Sequence, residues 1–157
     1  MSNKYFPNQE ITFDDLKFVC YMVERTARNI KQSNLYVVEH MGREELERNL
    51  SLASVLHCEN PEDVSDRWTA EYHLEKGTTD RLKVDKSLTK TVPTAIQMGK
   101  VYARLIQSTT DDTENIADGI LRVYNSPICK QLDNYNSSAY YEPSYVIAEA
   151  YRNGNFN

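Results

Sequence analysis

The chain has 157 residues and a mass of 18.2 kDa, the size of one ordinary domain. Apolar residues make up 40% and charged residues 26%, which excludes disorder of the whole chain. Five glycines and five prolines are roughly half the usual share of turn formers, too few for a many-stranded sandwich or barrel. A formal charge of −5 and a pI near 5.2 exclude indiscriminate attraction to nucleic acid or anionic membrane.

No apolar run approaches the ~18 residues of a membrane span, so no membrane partner is expected. Residues 1–10 lack a signal-peptide core and read as a flexible lead-in to a single all-helical domain over 1–157. Cys20, Cys58 and Cys129 are odd in number and widely spaced, which suits a reducing cytoplasm better than a disulfide framework.

The first helix opens at Thr12, where Asp15 three residues on makes a capping box. Leu16, Val19, Val23, Ala27 and Ile30 follow at helical steps and predict one buried stripe. Ser33 caps a second helix, Asn34–Met41, which Gly42 stops. A third, over Arg43–His57, carries Leu46, Leu50, Ala53 and Leu56 inward. The second and third have the outline of a helix-turn-helix, but Glu44, Glu45 and Glu47 would face DNA phosphates and repel them.

Asn60-Pro61-Glu62-Asp63 has the N-cap, the N1 proline and the first-turn acids of a helix start. That helix, with Val64, Trp68 and Tyr72 inward, is predicted to end near Leu74. A long loop follows over about 76–92, with a short strand at Arg81–Val84 as the alternative within it. Pro93 restarts a helix that buries Ile96, Val101, Tyr102, Leu105 and Ile106. Asp111–Asn125 makes the next, with Asp111, Asp112 and Glu114 at its positive end. Short helices then begin at Ser126-Pro127 and Glu142-Pro143. The expectation is an all-α domain of seven to eight short helices packed as helical pairs.

Charge is unevenly placed. Residues 51–80 carry two basic and seven acidic side chains, whereas 81–105 carry six basic and one acidic. The six are Arg81, Lys83, Lys86, Lys90, Lys100 and Arg104. They are either a patch for phosphate or an acidic partner, or the neutralising complement of residues 51–80. No aromatic residue lies between Arg81 and Met98, which weighs against a single-strand nucleic-acid groove.

Four of eleven tyrosines, Tyr135, Tyr140, Tyr141 and Tyr145, fall among asparagine and serine in the stretch 132–145. That mixture suits a contact loop, because tyrosine covers area at low entropic cost and Asn and Ser adapt their hydrogen bonds. The alternative is that they cover the core with their hydroxyls wet.

Catalytic signals are thin. The glycines lie at least 20 residues apart, so no phosphate-binding loop exists. His57, Cys58 and His73 lack metal-ligand spacing, and adjacent His57 and Cys58 point apart on a helix. The pairs Asp14/Asp15, Glu44/Glu45 and Asp111/Asp112 are explained by helix dipoles. The sequence therefore implies no metal, no cofactor and no catalytic residue, and names no activity. It favours an acidic protein that binds a protein partner as an inhibitor, antitoxin-like protein or adaptor, monomeric or as a homodimer. The alternatives are nucleic-acid binding through 81–104 and an enzyme without a recognisable motif.

Overall fold

A computed structural model describes residues 3–156, and the protein is all-helical as the spacing predicts. Seven α-helices are present among the described residues: α1 (Phe13–Ile30), α2 (Asn34–Leu56), α3 (Pro61–Glu71), α4 (Ala95–Thr109), α5 (Ile116–Tyr124), α6 (Pro127–Leu132) and α7 (Ser144–Asn153). A single 3₁₀ turn, Ala139–Tyr141, precedes α7.

The α1 helix is the central element. Its capping box at Thr12 and Asp15 is closed in both directions. Ten of its eighteen residues are buried, because α2, α3 and α4 all pack against it. A stripe wider than the apolar one read from sequence is therefore covered, and it includes Glu24 and Thr26. The α1–α4 contact is close enough to need glycine. A Cβ on Gly99 would lie 2.7 Å from the Tyr21 backbone nitrogen and 2.8 Å from its Cα.

The two helices expected on either side of Gly42 are both present, and the span labelled α2 comprises them with a kink at that residue. Gly42 has φ 77° and ψ 169°, a conformation that a side chain would strain. The α5 helix lies against α2, and α4 packs against α5 and α7. Residues 3–12 are irregular, but Asn3 is buried, accepts from the Tyr5 and Phe6 amides and donates to the Ser51 carbonyl.

Three boundaries differ from the sequence reading. The α3 helix ends at Glu71 rather than near Leu74, since His73 takes a left-handed φ of 53° and Leu74 N–H returns to the Thr69 carbonyl. Residues 111–115 precede α5 instead of opening it. The Asp111 carboxylate accepts from Thr113 and Glu114 in a local turn, and Asn115 is the true N-cap. Ile96 is 62% exposed, because α4 starts at Ala95 and turns its first residues to solvent.

Residues 73–94 form the long connection, with no strand at Arg81–Val84. It is a strap rather than a free loop. The Gly77 and Thr79 amides donate to the Ile30 and Lys31 carbonyls at 2.8 and 2.9 Å, satisfying the open C-terminal end of α1. Further along, the Asp85 amide donates to the Asn136 side chain at 2.6 Å.

The close α1–α4 approach makes Gly99→Ala costly, since the obstructing atoms are backbone. Urea unfolding of that variant should show a loss of about 1–3 kcal/mol with the helical circular dichroism retained.

Candidate functional site

The densest polar arrangement lies inside the protein, where α1, α2, α4, α6 and the strap converge. Its centre is Glu24, a carboxylate with no exposed surface on the buried side of α1. One oxygen accepts from Arg28 Nε at 2.7 Å, from Arg81 Nη1 at 3.0 Å and from the Tyr135 hydroxyl at 2.7 Å. The other accepts from Asn34 Nδ2 at 2.9 Å. Arg28 also donates to the Pro93 carbonyl at 2.8 Å and to the Tyr135 hydroxyl at 3.2 Å. Both guanidinium groups lie over the Tyr135 ring, 5.3 and 5.6 Å from its centroid.

Asp133, at the end of α6, sits beside this centre. It accepts from the Tyr102 hydroxyl at 2.6 Å, from Asn34 Nδ2 and from the Cys129 thiol, while Arg81 stays 3.9 Å away. The two acids differ in character. Burial pushes Glu24 up, but Arg81 and Arg28 outweigh it, and its pKa lies below the ordinary value. Burial lifts Asp133 to about 6 with help from the neighbouring Glu24 charge, against the pull of Arg81. The thiols beside the network are poor nucleophiles, for burial raises Cys20 to about 12 and drives Cys129 well above its usual value.

This interior takes two residues that the sequence reading put on surfaces. Tyr135 is buried and its hydroxyl is spent on Glu24, so it belongs to the core rather than to a contact loop. Arg81 turns its largely covered side chain in among Glu24, Asn34 and Tyr135 and leaves the basic patch. The other five cations, Lys83, Lys86, Lys90, Lys100 and Arg104, are exposed. None of the six pairs with an acid of residues 51–80, and the five have no ion pair among the described residues. Within 51–80, Glu59 takes Arg67 of its own segment and Glu62 takes Arg25 of α1.

Three tyrosines do reach the surface. Tyr141 is 81% and Tyr145 72% exposed, and Tyr140 is half-buried edge-on between Tyr135 and Tyr141. Two grooves meet at Tyr140 and Tyr141. One, about 300 Å³, runs between them and α4, with Lys100 and Arg104 on the far wall and Val101, Leu105 and Ile147 along it. The other, about 880 Å³, is bounded by Leu88, Thr89, Thr91 and Ser138, with Leu88 66% exposed. The fold thus brings together exposed tyrosines and two of the basic residues, which lie far apart in sequence.

Sequence reasoning missed Glu24, Arg28, Asn34, Tyr102 and Asp133. The available signal was Glu24 itself, an acid lying between Cys20 and Ala27 on the buried side of α1, one turn before Arg28. No group of His, Cys, Asp and Glu that would hold a metal ion occurs among the described residues, and none of their helices is long and apolar enough to cross a membrane. Compared with known protein families, curated proteins and solved structures, the chain matches none.

Asp133 sets a pH dependence of opposite sign to that of Glu24. Its pKa is raised on folding, so the stability it contributes is present in acid and lost as pH climbs through about 6. Glu24, with a lowered pKa, contributes above the ordinary carboxylate range and loses that contribution only at more acidic pH. The melting temperature should therefore rise as pH falls from about 7.5 to about 5, and Asp133→Asn should flatten that slope. A melting temperature that falls over the same interval, or an unchanged slope in the variant, would refute this assignment.

Proposed function

We propose that this protein works by binding a partner protein, as an inhibitor, antitoxin-like protein or adaptor, and that the face around Tyr140, Tyr141 and Tyr145 is its contact surface. The observation that carries this reading is the exposure of Tyr141, where the two grooves meet, and of Tyr145 four residues on at the start of α7. A large phenol ring stranded in water contributes little to the fold, whereas at a contact it covers much area for two side-chain torsions. Leu88, which lines the second groove and is more than half exposed, adds aliphatic surface to that face.

The interior network supports a structural role for the remaining polar groups. Glu24, Asp133 and both arginines are engaged with one another and with Asn34, Tyr102 and Tyr135. That arrangement rigidifies the platform from which the tyrosines project. Three free thiols, two of them buried, support a reducing, cytoplasmic setting.

The test is affinity capture from the native source with the tagged chain and with a Tyr141→Ala/Tyr145→Ala variant. The wild type should retain a specific protein that the variant loses, while the two melting temperatures agree within about 2–4 °C. Equal capture by both forms would remove the tyrosine face from recognition. A collapse of the variant's melting temperature would return the two rings to a structural role.

A further inference from the structure

We propose that the groove between α4 and the tyrosine segment receives an extended, acidic segment of the partner protein, with apolar side chains seated between its carboxylates. This rests on the reading of the tyrosine face as a contact surface and adds the chemistry of what occupies it.

Three features of the groove define the occupant. Lys100 and Arg104 stand one helical turn apart on the α4 wall, exposed and without an acidic partner among the described residues. Their donors are therefore available, and four residues along a helix spaces them as a short cation rail. The lining between that rail and Tyr140/Tyr141 is an apolar floor, with Val101 half-buried and Leu105 and Ile147 buried beneath it, and it suits an aliphatic or aromatic side chain better than a hydrated polyanion. Past Tyr141 the surface continues into the second groove, where the Thr91 and Ser138 hydroxyls line the wall and can hydrogen-bond a main chain, while the Thr89 hydroxyl is already engaged with the Thr91 backbone. Cation rail, apolar strip and aromatic wall together match a chain that alternates carboxylates with apolar groups.

Charge complementarity is local. The protein carries −5 in all, so an acidic partner feels repulsion at long range. In the α4 groove itself the lining carries the unpaired Lys100 and Arg104 against one acid, Glu142, a local excess of positive charge that acts within a Debye length of about 8 Å. A short acidic segment tolerates that balance better than a nucleic-acid strand, which carries a charge on every nucleotide and would run past Glu142 and, in the second groove, the exposed Leu88.

The probe is a random linear peptide library displayed against the full chain, with counter-selection on a Lys100→Glu/Arg104→Glu variant. Both positions are exposed, and an unchanged melting curve verifies that the variant folds. The selected peptides should be rich in glutamate or aspartate interspersed with leucine, isoleucine or phenylalanine. A synthetic copy should lose affinity by about tenfold or more on the double charge reversal and weaken steadily with added salt. A neutral or basic consensus, no consensus, or affinity indifferent to the reversal would overturn the proposal. Tighter binding of a labelled oligothymidylate than of the best peptide would overturn it in favour of nucleic acid. The contact surface itself falls only if Tyr141→Ala/Tyr145→Ala leaves partner capture intact. Loss of capture in that variant together with failure of the peptide arm leaves the surface and removes the acidic partner.

Discussion

A carboxylate with no access to water has to be surrounded by donors or neutralised, and Glu24 is surrounded. Ion pairing with Arg28 comes from one turn further along the same helix, but the second arginine arrives from the strap, 57 residues away. The four groups that meet on Glu24 come from α1, the start of α2, the strap and the segment after α6. No single helix pair contains this cluster. Its geometry is met only when all of those elements are in place, so the network makes the packing of α1 cooperative with the course of a segment that has no regular structure of its own. Breaking it by losing one arginine would leave a buried charge uncompensated, which costs far more than the pair contributes when intact.

Asp133 is the less settled partner. It shares Arg81 with Glu24 but stands 3.9 Å from it, and its remaining contacts are a phenol, a thiol and an amide. Two acids compete for Arg81, and the one with the closer contacts holds its charge to more acidic pH. The same contest explains why Tyr135 is interior. Its hydroxyl donates to Glu24 and accepts from both arginines, a set of partners that water outside could not improve upon.

The helices were legible in the sequence because their signals are local. Thr12 with Asp15, Ser33, and Asn60-Pro61 all cap the helices that they announce. Gly42 breaks the rod where a stop was read. The later start of α5 has an equally local cause, since Asp111 spends its carboxylate on the Thr113–Glu114 turn and Asn115 caps the helix instead. The surface was legible in part. Composition pointed to Tyr141, Tyr145 and the lysines of 83–100, which are exposed, but Arg81 and Tyr135 turn inward to a buried acid at Glu24 that nothing near them in sequence reveals. Nor does a one-dimensional reading show that Lys100 and Arg104 face Tyr140 and Tyr141, so the objection that no aromatic residue interleaves the basic segment holds along the chain and not in space.

The strap has a kinetic implication. It is tied at Gly77 and Thr79 to the end of α1, at Arg81 to the interior, at Asp85 to Asn136, and at Pro93 to Arg28. The cations beyond Arg81 consequently ride on a backbone that is already ordered. A visitor to this side of the molecule encounters a preorganised surface, and little conformational freedom remains to be surrendered on contact. Complexes formed there should owe their strength to slow departure rather than to rapid capture.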